Sequence, residues 1–194
     1  MPPNPTHSHV SRPVQNFDPE LLLQAQPVRA LLLDVDGVLT DGGLYFGEDG
    51  EVLKRFHTLD GHGLKLLQRA GITPAIVSGR DSPALRRRLA ALGVQHLRLG
   101  TEDKGPAARE LLAELGLDWS AAAAMGDDWP DLAMLVPAAL ALAPPGAHPE
   151  VLARAHHVTV RPAGAGAVRE VCDLLLTACG AYVTELERAW PEGH

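Results

Sequence analysis

Two aspartates one residue apart, Asp34 and Asp36, close an apolar run in the stretch LLLDVDGVLTDG and are followed by Gly37. Like charges this close repel unless a positive group lies between them. Further along the chain come Ser78 in VSGR, then Lys104, then Asp127, Asp128 and Asp131 in GDDWPD. Carboxylates from two strand ends make a hard oxygen site for a small divalent cation, with Mg²⁺ the usual choice where phosphate oxygens complete the shell. Ser78 and Lys104 offer a hydroxyl and a cation for the remaining oxygens of a phosphoryl group. A carboxylate about 3.5 Å from a phosphate charge is repelled by roughly 5 kcal/mol per unit pair at an effective dielectric of about 20. A metal and a lysine opposite the carboxylate remove that repulsion, so the constellation points to phosphoryl transfer.

These residues need elements that bring them to one edge. The run from Arg29 to Asp34 is continuous and apolar, as suits a central strand covered on both faces. Before it, DPELLLQA reads as a short helix with Asp18 as cap and Pro19 in the first turn. Leu44 to Phe46 and Val52 to Phe56 flank the turn GEDGE and predict an inserted β-hairpin. A helix follows from His62 to Gly71, and TPAIVSGR is a strand ending in small polar residues. The alternation repeats with a helix from Pro83 capped by Ser82, the strand VQHLRLG, and a helix from Asp103 to Leu115. SAAAAMGDD favours helix by its alanines, but its brevity and its place between two helices predict a buried strand. Short strands at Leu140 to Ala143 and His157 to Val160 precede a helix from Ala165 to Cys179, with GAGA before it read as a plain turn. The expected fold is a doubly wound, Rossmann-like α/β domain with a mostly parallel sheet, its chemistry at the C-terminal ends of the strands.

The chain of 194 residues suits one domain, expected over residues 28–180 between a flexible leader (1–27) and a C-terminal tail (181–194). A net charge of −7 without a basic stripe argues against nucleic acid as a partner. No stretch approaches the roughly 18 apolar residues of a membrane span, and the N-terminus lacks the cationic start and apolar centre of a secretion signal. The expected location is the cytoplasm. Cys172 and Cys179 fall on one helix about 10 Å apart by helical rise, too far to bond, as suits thiols of a reduced compartment.

In order and spacing, DVDGVLT, VSGR, Lys104 and GDDWPD resemble the four motifs of the haloacid dehalogenase (HAD) superfamily of phosphotransferases. The resemblance implies that Asp34 is the nucleophile forming an aspartyl-phosphate, and that Asp36 protonates the leaving alkoxide and then activates water. It implies Mg²⁺ held by Asp34, the backbone carbonyl of Asp36 and Asp127, with Ser78 and Lys104 on the phosphoryl group. Asp128 and Asp131 would orient the lysine or the metal site. An acid two residues after the nucleophile speaks against dehalogenation, because a halide leaves without a proton.

No large cap fits between Asp34 and Ser78 or between Lys104 and Asp127, so the domain reads as capless. The hairpin segment GGLYFGEDGEVLKRFHTLDGHGLK, the phrase AHPEV and the ending GAGAVREVCDLLL are similar to the 3-deoxy-D-manno-octulosonate 8-phosphate phosphatase family. That likeness implies a small anionic sugar phosphate as substrate and a homotetramer associated through its hairpins. Specificity would be completed by a neighbouring subunit and the tail. Substrate contacts are expected from His57, Thr58, Leu59, Asp60 and Gly61, with Lys65, Gly79, Arg80 and Arg88. Leu59 and Lys65 stand where the family usually carries arginine. Arginine grips a carboxylate with a planar fork, lysine with a point charge and leucine not at all, so another keto-acid sugar phosphate of the nonulosonate type is the alternative. A signalling phosphoacceptor domain also combines acids, a hydroxyl and a lysine around Mg²⁺. The second acid beside the nucleophile and the acidic cluster after the lysine count against it.

Overall fold

The computed structural model describes residues 16–48 and 50–189. Most of the expected leader, residues 1–15, and the last five tail residues lie outside them. Six strands form one parallel sheet: β1 (Ala30–Leu33), β4 (Thr73–Ser78), β5 (His96–Leu99), β6 (Ala122–Met125), β7 (Leu140–Ala143) and β8 (His157–Val158). Their spatial order is β5-β4-β1-β6-β7-β8, so β1 lies in the middle, in register with β4 through Leu31 and Pro74 and with β6 through Leu31 and Ala123. The chain winds outward in both directions from β1, which puts a topological switch point between β1 and β6.

Alternate strand residues face two separate cores, as the two-residue period of a strand demands. Leu31, Leu33, Ile76, Met125 and Leu142 pack with α2 (Thr58–Arg69), α3 (Pro83–Leu92) and α7 (Ala167–Ala178). On the other face, Ala30, Leu32, Ala75, Ala122, Ala124 and Ala141 meet α4 (Lys104–Glu114), α5 (Leu132–Leu135) and α6 (Pro149–Leu152). The alanine run of β6 is therefore a strand, because burial on both faces outweighs alanine's helical preference. Helix α1 (Pro19–Ala25), capped by Asp18 on the Glu20 amide, docks Leu21 and Ala25 on the first core. Among the described residues no helix is long and apolar enough to cross a membrane.

The insertion after β1 is the antiparallel pair β2 (Tyr45–Gly47) and β3 (Gly50–Leu53), a sheet of its own. Several elements differ from the sequence reading. Strand β3 stops at Leu53, before Lys54, whose side chain is wholly buried. Helix α2 begins at Thr58 rather than His62; its early glycines are packing positions, since a Cβ on Gly61 would lie 2.2 Å from Arg88 and one on Gly63 2.9 Å from Cys172 Sγ. Strand β8 ends at Val158 because the amides of Val160 and Arg161 turn to donate to Glu170. The tail contains a helix, α8 (Tyr182–Ala189), whose buried Glu185 pairs with Arg69 of α2 and with Arg188.

Candidate active site

Strand β1 delivers Asp34 to the sheet edge, where its amide donates to the Met125 carbonyl of β6 (3.1 Å). The loop beyond carries Gly37 at φ +93°, and a Cβ there would lie 2.2 Å from Asp127 Oδ2. Only glycine permits both the left-handed turn and the approach of the two acidic loops. Lys104, the first residue of α4, bridges two carboxylates: its Nζ lies 2.6 Å from Asp34 Oδ1 and 2.6 Å from Asp131 Oδ1. Asp131 in turn accepts the amides of Asp127 (2.9 Å) and Asp128 (3.1 Å) on Oδ2. The Asp127 carbonyl accepts the His148 amide at 2.8 Å, which ties the acidic loop to the start of α6.

Asp34, Asp127 and Asp131 each bring a carboxylate oxygen within 4.8 Å of the others. Three acids share one lysine, and the electrostatics record the shortfall. Burial, followed by the charge of Asp131, pushes Asp34 up to about 6. Burial, then Asp131 and Asp34, pushes Asp127 up to about 7. Burial alone would depress the Lys104 ammonium, but the two carboxylates outweigh it and hold its pKa above the ordinary lysine value. The cluster has negative charge to spare for a further positive group, and its donors are the hard oxygens that Mg²⁺ prefers.

Asp36 stands on the outer side of Asp34. Its Oδ1 accepts from Lys54 Nζ (2.5 Å) and from the Thr40 hydroxyl (3.3 Å), and its Oδ2 lies 3.9 Å from Arg80 Nε. Ser78, buried at the end of β4, accepts the Arg80 amide on Oγ at 3.2 Å, which leaves its own proton for another acceptor. Gly79 and Arg80 follow it, exposed.

The remaining expected residues separate into two groups. Thr58, Leu59 and Lys65 are exposed along α2, and His57 is half-buried at its N-cap. Asp60 and Gly61, expected as substrate contacts, are instead buried in the first turn of α2. Asp60 accepts the Arg169 amide at 2.8 Å, so its carboxylate anchors the N-terminus of α7, and burial raises its pKa. Arg88 lies over the Phe56 ring, 6.0 Å from its centroid, and donates to the His57 carbonyl at 3.4 Å. Asp128 is exposed, and it is Asp131 rather than Asp128 that touches Lys104.

Sequence reasoning passed over three participants. Lys54 and Thr40 hold Asp36, yet a lysine after a strand and a threonine in a loop carry no pattern of their own. The third is Gly164, in the GAGA segment read as a plain turn. At φ +60° its position brings backbone against backbone: a Cβ would lie 2.5 Å from the Asp41 nitrogen, and its amide donates to the Val38 carbonyl at 3.2 Å. The segment clamps the loop that follows Asp34.

Comparison with known proteins fits this geometry. Residues 100–171 match the model of the haloacid dehalogenase-like hydrolases. The 3-deoxy-D-manno-octulosonate 8-phosphate phosphatase KdsC of Yersinia pestis is 43% identical over 159 residues, 82% of this chain and 85% of the relative. The Escherichia coli K12 enzyme of the same name is 42% identical over 161 residues, 83% of this chain and 86% of the relative. The crystal structure of the Moraxella catarrhalis phosphatase, in complex with magnesium, phosphate and KDO, superposes with a TM-score of 0.85 at 35% identity, covering 88% of this chain and 98% of that one. On the strength of these relatives and of the bridged carboxylates at the switch point, the chain belongs to the 3-deoxy-D-manno-octulosonate 8-phosphate phosphatase family of haloacid dehalogenase-like hydrolases.

Proposed function

We propose that the protein is a Mg²⁺-dependent phosphomonoesterase that hydrolyses 3-deoxy-D-manno-octulosonate 8-phosphate. The observation that carries this reading is Lys104 bridging Asp34 and Asp131 beside Asp127, a site with too many acids for its single lysine. Asp34 and Asp127 would hold the cation, with the backbone carbonyl of Asp36. When bound, Mg²⁺ supplies the positive charge that lets an anionic nucleophile approach a phosphate.

The protein's own groups then divide the work. Asp34 attacks phosphorus: its oxygen forms a bond to phosphorus as the bond to the sugar oxygen breaks. Asp36 gives its proton to the departing oxygen. It next takes a proton from water as that water attacks the aspartyl-phosphate, which releases phosphate and restores Asp34. Lys104 holds Asp34 in place and, with the Ser78 hydroxyl, faces the charge that spreads over the phosphoryl oxygens. Arg80 and Arg88, with His57 to Leu59 and Lys65, are the proposed contacts to the anionic sugar.

A second reading, another keto-acid sugar phosphate of the nonulosonate type, is favoured by one observation. Leu59 and Lys65, both exposed on α2, leave that face without the two arginines that would grip a carboxylate. The proposed assembly is a cytoplasmic homotetramer of a domain spanning residues 28–180, joined through the hairpin. It is supported by the apolar hairpin surface of Tyr45, Phe46, Val52 and Leu53, all exposed.

Phosphate release across a panel of octulosonate, nonulosonate and simple alkyl phosphates, with Mg²⁺ and with chelator, tests both readings. The octulosonate 8-phosphate is expected to give the highest kcat/KM, with activity lost on chelation and restored by Mg²⁺. A preference for a nonulosonate phosphate favours the second reading, and turnover that survives chelation overturns the metal role.

A further inference from the structure

The buried ammonium of Lys54 is used by nothing in the mechanism above. Its side chain is fully enclosed, and it is carried by the residue that follows β3 of the hairpin insertion, not by the sheet that builds the rest of the site. It makes two ion pairs: 2.5 Å to Asp36 Oδ1 and 3.2 Å to Glu51 Oε2, the latter within the hairpin itself. Burying a lysine is costly unless its charge is met, and here the partner outside the hairpin is the acid beside the nucleophile.

The contact also distinguishes the two oxygens of Asp36. Oδ1 receives Lys54 and the Thr40 hydroxyl, both donors, whereas Oδ2 has only the guanidinium of Arg80 at 3.9 Å. With Oδ1 engaged by the Lys54 ammonium and the Thr40 hydroxyl, Oδ2 is the oxygen left to exchange a proton with the substrate. The Asp36 side chain is thereby held with Oδ2 toward Arg80. Glu51 in turn fixes the lysine, so the hairpin holds the acid through one rigid, desolvated arm.

We propose that Lys54 is a positioning residue for proton transfer: anchored by Glu51, it orients Asp36 so that Oδ2 delivers the proton to the leaving sugar oxygen. The proposal rests on the phosphatase reading above and adds to it a link between the hairpin and the bond-breaking step. Atoms balance simply. The Asp34 oxygen bonds to phosphorus, the phosphorus–sugar oxygen bond breaks, and the proton passes from Asp36 Oδ2 to that oxygen, while Lys54 neither gains nor loses one.

Leaving-group dependence separates this role from a merely structural one. An alkoxide needs the proton and p-nitrophenolate does not, and kcat/KM reports the step in which the leaving group departs. With Mg²⁺ bound, Lys54→Met, which keeps the stem and removes the cation, is compared with the unmodified enzyme on primary alkyl phosphates and on p-nitrophenyl phosphate. The alkyl kcat/KM is expected to fall at least about 30-fold further than the aryl value, somewhat less than the roughly 10²–10⁴-fold of general acid catalysis itself, as suits a residue that orients the acid. Glu51→Gln, which leaves the contact to Asp36 in place, is expected to show the same selectivity at a smaller size. Lys54→Arg is expected to recover part of the alkyl rate. Equal losses on both substrate classes, or no loss on either, overturn the proposal. Should Lys54→Met fail to fold, equal losses on the two classes in Glu51→Gln overturn it instead. An unmodified enzyme that turns over other alkyl phosphates but not the octulosonate overturns only the substrate reading.

Discussion

The sheet edge and the hairpin solve opposite problems. At the edge, charged groups are buried with all their neighbours supplied from within the chain: Asp34 from β1, Lys104 from α4, and Asp127 and Asp131 from the loop after β6. In the hairpin, apolar groups are left in water, with Phe46 at 62% and Val52 at 65% exposure, while Glu51 and Lys54 turn inward to pair with each other. Rigid strand ends hold like charges at distances they would not choose, which requires packing on both faces of the sheet. The hairpin has no core of its own, and a two-stranded ribbon with one apolar face is marginal until something covers it. The sheet edge is thus self-sufficient, and the hairpin is not.

Removing the nucleophile probes the self-sufficient half most severely. Asp34→Asn is expected to lower phosphate release by at least about 10⁴-fold with the fold retained, and to abolish labelling of the protein by phosphate. Turnover within tenfold of the unmodified enzyme would mean that the buried cluster is not the reacting centre.

The strain between the acids gives a smaller effect with a definite sign. In the folded, metal-free protein Asp127 sits at about 7 against an ordinary value of 3.8. Between about pH 4 and pH 7 the folded state therefore holds protons that the unfolded chain has released, so its contribution to stability falls as pH rises through that window and is constant above it. Asp34, raised to about 6, acts in the same direction over the lower part of the window. Asp127→Asn is expected to gain melting temperature on the unmodified protein progressively from pH 4 to pH 7 in chelator, and Mg²⁺ is expected to reverse the order at neutral pH. A difference that does not vary with pH would place the tension elsewhere.

The hairpin half is tested by a change that leaves the interior alone. Phe46→Asp is expected to shift the sedimenting species to a smaller size while circular dichroism stays that of the unmodified chain. An unchanged species would show that the apolar ribbon is not the joining surface.

Much of the sheet edge was legible because its residues announce themselves by type and order. Asp34, Ser78, Lys104 and Asp127 each end a strand or begin a helix that hydrophobic periodicity can locate, so their convergence follows from topology. Asp60 suits a binding rim by type, while its place in the first turn of α2, a helix that the sequence reading begins only at His62, buries it against α7. Lys54 and Gly164 were invisible for another reason. Their roles depend on which distant backbone they meet, and one sequence contains no record of tertiary neighbours. The ordered helix within the tail escaped notice because its one buried acid, Glu185, is solvated by arginines far away and near in the chain.

The close approach of Gly164 to Thr40 and Asp41 has a bearing on synthesis. A nascent chain emerging from the ribosome exposes the aspartate pair early and the glycine that shuts their loop very late, after every strand of the sheet has appeared. Until that final clasp is made, the loop after Asp34 lacks the backbone contact that closes over it in the finished fold.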